Sequence, residues 1–450
     1  MLHKGLFVLG HQLGDPHFYS YYKLLQKNQW KKHKDLVIEQ EKKLRTALHF
    51  SYENVPYYTK LFHRLNLKPT DIRTTADLEK LPILNKGIIK QHWEEFKPLG
   101  LKKIKYEERM TSGSSGTPFP YRLSRHDRFS GAAHLYRGWG YGGYELGDRM
   151  VFLAGTALAT GTGSTLSKKV YETVRNIRML SSWGMGEQEM RKYTAVINSC
   201  KPLFIRGYAS SIFFFAKWIE ENTIPIHHPE VIFTATEKLY PPMREKISRV
   251  FNCDVLDGYG AYDGSITANE CTEHTGFHID TERSLMEVVD ERGNQIQEGE
   301  GKILATSLCN SAMSFIRYDT GDVGNILSEA DTCACGRGYR LLKELIGRSS
   351  DILITPDGKY VQGWYLAMTV QEFWKDQVKE FQVVQETPEK IIYNVVPEKH
   401  FDERLLEKIQ QNMHERGFHW EIELRIVDEI ERTRSGKYRF IINKIPTGRV

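Results

Sequence analysis

Thr111-Ser112-Gly113-Ser114-Ser115-Gly116-Thr117-Pro118 packs hydroxyl side chains and two glycines into seven positions and closes on a proline. Glycines let backbone amides approach an anion closely, and hydroxyls add donors, so the run suits a polyphosphate. No Lys-Ser or Lys-Thr pair closes it, and no Walker A loop occurs elsewhere in the chain. A flexible Ser/Gly linker would have the same composition. Tyr121 to Ser124 follows at once as a strand, however, which makes the run a turn between strands.

The rest of the chain frames this turn. Its 450 residues are too many for one ordinary domain. With 40% hydrophobic and 12% aromatic residues it can bury a sizeable core. Lys and Arg number 62 against 57 Asp and Glu, a net charge of +5 without a dense basic patch, and no nucleic-acid partner is expected. The apolar run Gly5 to Gly10 is too short for a signal-peptide core, and no stretch approaches a membrane span, so a cytoplasmic location is expected. Six cysteines in so long a chain make no disulfide framework.

Residues 1–100 read as a helical lead-in. From about residue 148 apolar runs alternate with helical patterns: Arg149 to Leu153 and Pro202 to Gly207 as strands, SIFFFAKWIEEN as a helix capped by Ser210, Val231 to Thr234 as a strand, PPMREKISRVF as a helix, CDVLDGY as a strand. That rhythm predicts an α/β fold whose ligands collect at the carboxyl ends of strands. Short strands and turns then suggest a β-rich subdomain over about 284–346, packed beside the sheet. Past a break at LIGRSSDILITPDGKY, residues 347–450 carry the pattern of a small α+β domain, leaving 1–346 as the large one.

Four further segments follow the hydroxyl-rich turn in order: Asp257-Gly258-Tyr259-Gly260-Ala261-Tyr262-Asp263, Arg317-Tyr318-Asp319-Thr320-Gly321-Asp322, Gly347-Arg348-Ser349-Ser350-Asp351 and Arg434-Ser435-Gly436-Lys437. With them the chain resembles the adenylate-forming superfamily of acyl-CoA ligases and adenylation domains. Within it, the chain is most similar to the phenylacetate–CoA ligase family, especially the CapK-type members associated with capsular polysaccharide biosynthesis. The resemblance runs from NVPYYTKLF to RTRSGKYRFIINK.

That resemblance implies a large N-terminal domain closed by a small mobile C-terminal one, with ATP, AMP and Mg²⁺ as ligands. The Thr111 to Thr117 turn is expected on the β- and γ-phosphates. Tyr259 is expected to stack on adenine, a natural partner for a purine face, with Ala235, Glu237, Asp257, Gly258 and Gly260 around it. Asp322 would accept hydrogen bonds from the ribose hydroxyls, and Arg348 would reach the ribose or α-phosphate. Lys437 would stabilise the charge that builds as a carboxylate attacks the α-phosphorus. A surface lysine in a basic tail is the plainer alternative.

The sequence departs from the family at three points. Asp263 stands where glutamate usually holds Mg²⁺, Ser350 where a hinge aspartate is usual, and the phosphate turn lacks the lysine often found near its end. Cys271, Cys333 and Cys335 with one histidine make a closed tetrahedral set for structural Zn²⁺. By resemblance to the family's Cys, Gly-x-His and Cys-x-Cys arrangement the histidine is His278, with His274 as the alternative. Cys200, Cys253 and Cys309 read as core.

The implied reaction joins a small-molecule carboxylic acid to AMP, releases pyrophosphate, and passes the acyl group to the thiol of CoA or to an amine or sugar hydroxyl. Tyr136, Trp139, Tyr141 and Tyr208 are expected either near the acid, where they would admit a flat one, or in the core. The resemblance also allows a homodimer. A catalytically silent nucleotide-binding scaffold in a polysaccharide assembly pathway is the alternative.

Overall fold

The computed structural model describes residues 2–111, 119–154, 165–182, 185–261, 263–348, 352–357, 360–363, 366, 369–374, 377–415, 417–432 and 438–445. The chain divides into two compact units: most of the chain up to Leu345 forms the larger, and Ile346–Val450 with Gly321–Val323 the smaller.

The larger unit opens with helices α1 (Leu2–Gln12), α2 (Phe18–Asn28), α3 (His33–Asn54), α4 (Pro56–Arg64) and α5 (Lys86–Gln91). Strands β1 (Tyr106–Thr111) and β2 (Phe119–Ser124) then pair antiparallel, with Thr111 opposite Phe119, so the hydroxyl-rich residues join the two arms of a hairpin. Ser124 accepts a hydrogen bond from the Asp127 amide at 3.2 Å and starts helix α6 (Arg125–Trp139) as a side-chain cap.

Alternating elements follow: β3 (Met150–Ala154), α7 (Thr165–Arg175), β4 (Ile177–Ser181), α8 (Glu187–Cys200), β5 (Phe204–Tyr208), α9 (Ala209–Glu221), β6 (Val231–Ala235), α10 (Pro241–Phe251) and β7 (Asp254–Ala261). Strands β3 to β7 pair in parallel. β5 and β6 are buried along their whole length, as parallel strands covered on both faces must be, and are apolar apart from Arg206 and Thr234. Ser210 is not the cap expected of it. It lies inside α9, and its amide donates to the Glu237 carboxylate at 3.0 Å, a charge well placed at a helix N-terminus.

Next come β8 (Ile266–Glu270), β9 (Phe277–Ile279), β10 (Ser284–Val289), β11 (Gly299–Ser307), β12 (Tyr318–Ile326) and β13 (Leu341–Arg348). Among the described residues eleven strands form one sheet in the order β10-β11-β12-β13-β9-β8-β7-β6-β5-β3-β4. The strands of 284–346 therefore extend the sheet instead of packing beside it. The join is the antiparallel pairing of Leu341 with His278 and Leu342 with Phe277, a long-range register that local sequence pattern does not carry.

The smaller unit has a hairpin, β14 (Ile352–Ile354) with β15 (Tyr360–Gln362), and a second sheet. That sheet, in the order β18-β17-β16-β19, contains β16 (Val378–Thr387), β17 (Lys390–Pro397), β18 (Glu421–Ile426) and β19 (Ile441–Asn443). Helix α11 (Leu405–Glu415) and a π-helical turn at Val370–Trp374 contribute to its core around the buried Trp374, Tyr393 and Trp420.

Candidate active site and metal centre

A pocket in the larger unit lies between α6 and strands β5 to β8. Helix α6 presents Gly131, Leu135, Gly138 and Trp139 to it, positions that share one helical face. At two of these positions a larger residue would displace a neighbouring side chain. A Cβ on Gly138 would lie 2.3 Å from the Asn269 amide group, and one on Gly131 would lie 2.8 Å from the Arg283 guanidinium carbon. The Trp139 ring stacks on Phe233 at 6.0 Å between centroids, and the Arg206 guanidinium lies 5.0 Å from the Trp139 centroid.

Of the aromatics expected near the acid, Trp139 lines this pocket while Tyr136, Tyr141 and Tyr208 do not. The Tyr136 hydroxyl is 3.1 Å from His11, and the Tyr141 ring lies edge-on to His278. Arg206, Phe233, Thr234, Asn269 and Glu270, which also line it, carry no motif, and sequence reasoning had no signal for them.

The predicted adenine-site residues Ala235, Asp257, Gly258, Tyr259 and Gly260 all border the same pocket. Register places them together, with Thr234 beside Asp257 and Ala235 beside Gly258 on β6 and β7. Asp257 accepts from the Thr234 hydroxyl at 2.6 Å, and its amide donates to Glu270 at 2.8 Å. Arg244 grips Glu270 through one nitrogen at 2.9 and 2.8 Å. Burial, reinforced by the Glu270 charge, pushes the Asp257 carboxyl up to about 7. Glu237 spends one carboxylate oxygen on the Ser210 amide described above.

Asp263 accepts a hydrogen bond from the Tyr318 hydroxyl at 2.7 Å and one from the Gly264 amide at 3.2 Å. Tyr318 is fully buried and stacks on Phe315 at 4.8 Å and on Phe119 at 6.3 Å. Phe119 at the start of β2, Asp263 and Tyr318 thus come together from three separated stretches of sequence. Beside them, the Ser265 hydroxyl donates to Asp127 at 2.8 Å. Arg317 turns inward and is consumed structurally, donating to Glu287 at 3.0 Å and to the carbonyls of Leu81 and Gly293. Asp322 is buried on β12. Thr111 and Arg348 end β1 and β13, and their side chains lie outside the described residues. So do Ser112, Gly113, Ser114, Ser115, Gly116, Thr117 and Lys437.

Cys271, His278, Cys333 and Cys335 offer ligand atoms that all lie within 4.8 Å of one another. His278 Nε2 is 3.3 Å from Cys271 Sγ and 3.4 Å from Cys335 Sγ, and the sulfurs of Cys271 and Cys333 are 3.6 Å apart. A disulfide needs about 2.05 Å, so those sulfurs are not bonded. Zinc with bonds of about 2.3 Å to sulfur and 2.0 Å to nitrogen would set tetrahedral edges of roughly 3.5 to 3.8 Å, which the residues match. Burial, with the charges of Arg337 and Arg137, lowers His278 to about 3, keeping the imidazole neutral as a ligand must be. His274 turns elsewhere, 3.0 Å from Asp254 and 3.2 Å from Arg244.

This architecture is the adenylate-forming fold. The structure matches 2-hydroxyisobutyryl-CoA ligase in its postadenylation state, in complex with R3-HIB-AMP, with a TM-score of 0.73 at 16% identity over 93% of this chain and 92% of that one. The chain is a homologue of CapK and of the phenylacetate–CoA ligases. Protein CapK of Staphylococcus aureus is 26% identical over 91% of this chain and 90% of its own length. The phenylacetate-coenzyme A ligase of Thermus thermophilus is 27% identical over 70% of this chain and 71% of its own. Residues 353–444 match the family described as CapK C-terminal domain.

Proposed function

We propose that the chain is an AMP-forming carboxylic acid–CoA ligase. The observation that carries this reading is that Phe119, Asp263 and Tyr318, far apart in sequence, come together, while Asp257 to Gly260 line a pocket against α6. Homology to phenylacetate–CoA ligases supports the chemistry.

The carboxylate attacks the α-phosphorus of ATP, the bond to the β-phosphate oxygen breaks, and pyrophosphate leaves with the electron pair. The CoA thiol then attacks the acyl carbon, AMP departs as leaving group, and the thiol proton is released. Lys437 stabilises the charge in the first step, Asp322 holds the ribose, Arg348 steadies the nucleotide and Tyr259 faces its base. Asp263, oriented by Tyr318, would hold Mg²⁺, which neutralises phosphate charge. Cys271, His278, Cys333 and Cys335 would hold Zn²⁺, which contributes folding free energy. The smaller unit carries Lys437 in for adenylation and away for transfer.

CapK homology along nine-tenths of both chains supports a finer reading, an acyl acceptor in surface polysaccharide biosynthesis. No helix among the described residues is long and apolar enough to cross a membrane.

ATP–pyrophosphate exchange over a panel of carboxylic acids tests the proposal. Exchange with some acid, lost in Lys437→Ala, supports it. ATP binding without exchange for any acid would favour a silent scaffold.

A further inference from the structure

Four consecutive residues, Asp280 to Arg283, hold both ends of helix α6. In its first turn, Asp127 receives Arg283 Nε at 2.8 Å and Nη2 at 3.1 Å. In its last turn, Arg137 donates to Asp280 and, at 3.4 Å, to Glu282. These anchor points stand about 15 Å apart along the helix axis. All five side chains are buried; Arg283 pairs with Asp127, and Arg137 serves both Asp280 and Glu282. Buried ion pairs of this kind add little net stability but fix geometry, because losing one partner strands the other.

The anchoring segment is continuous with the metal centre on one side and the pocket on the other. His278 precedes Asp280 by two residues. Tyr339 follows Cys335 by four, donates to Glu282 at 2.9 Å and accepts from Arg137, whose guanidinium also covers its ring at 4.6 Å. Thr267, which lines the pocket, donates its hydroxyl to the other oxygen of Asp280. Arg137 itself sits between pocket-lining turns of α6 and is followed at once by Gly138 and Trp139.

We infer that the Cys/His centre sets the shape of the acid pocket, by fixing Asp280, Glu282 and Tyr339 so that they hold Arg137 and with it the α6 wall. Arg137 and Tyr339 are positioning residues. This rests on the metal and acid-pocket readings proposed above.

The test uses the metal-loaded full chain. Tyr339→Phe keeps the ring under Arg137 but removes the hydroxyl that links Arg137 to Glu282. With an acid that supports exchange, the acid KM rises about tenfold while the ATP KM stays within about twofold and bound zinc is unchanged. Equal changes in both KM values, or in neither, overturn the inference. A second measurement needs no substrate: amide hydrogen exchange with and without chelator. Faster exchange in α6 with α10 unchanged supports the coupling; no change in α6, or equal loosening of both helices, overturns it. A chain that holds no zinc defeats the metal reading and the inference together. Failure of every acid in the panel defeats only the ligase reading, and hydrogen exchange still decides the coupling.

Discussion

The Tyr318 hydroxyl donates to the Asp263 carboxylate at 2.7 Å across 55 residues of sequence, and both side chains are buried. A carboxylate held this way has one oxygen fixed in orientation. The Phe119 and Phe315 rings lock the tyrosine in turn.

Tyr318→Phe keeps the ring stack and removes the donor. Exchange activity should fall about tenfold or more, with a raised Mg²⁺ requirement, as expected when a ligand loses its orienting partner. Exchange rates measured against Mg²⁺ concentration check this, and an unchanged Mg²⁺ dependence counts against the assigned role of Asp263.

Lys437→Ala should lower acid-dependent exchange about 100-fold or more while ATP binding persists. Equilibrium dialysis with labelled ATP separates the two. Retained exchange would place the lysine in a solvated tail.

Cys333→Ser should bring zinc well below one ion per chain by elemental analysis and lower the melting temperature, because binding free energy at such a centre is folding free energy. A His274→Ala chain should keep its zinc, since that imidazole faces Asp254 and Arg244.

Asp257 has its carboxyl raised by burial and by Glu270 from 3.8 to about 7. A raised carboxyl favours the folded state only while protonated. Its contribution is present below the unfolded value and is lost as pH rises through about 7. Thermal scans from about pH 5 to 8 should therefore show a shallower decline for Asp257→Asn. Glu287, raised by burial to about 7 against the pull of Arg317, has the same sign and leaves part of the slope in place.

Gly138→Ala introduces a Cβ where Asn269 stands. Overpacking of this kind costs about 1 to 3 kcal/mol, and the displaced amide should intrude on the pocket. Bulky acids should lose exchange before small ones.

Much of the sheet was legible because fully buried parallel strands leave largely apolar runs, as at Val231 to Thr234 and, apart from Arg206, Pro202 to Gly207. The β9–β13 pairing was not, since a register between His278 and Leu341 is settled by tertiary packing alone. The four metal-ligand candidates could be named because Cys-x-Cys and Gly-x-His are compact chemical patterns, and the structure brings those side chains together. The pocket walls were hidden for the opposite reason. Gly131 and Gly138 lie seven apart on one face of α6, but that spacing has meaning only once Asn269 and Arg283 are seen against it. Tyr141, read as either an acid-site or a core aromatic, is buried edge-on to His278.

Riveting α6 at Asp127 and Arg137 has an engineering consequence. One wall of the pocket cannot slide to accommodate a new guest without breaking buried ion pairs, so the freedom to evolve lies on the opposite wall. A library aimed at altered acid preference should leave the helix untouched and vary Arg206, Phe233 and Thr234, where a strand side chain can be exchanged without unseating its backbone.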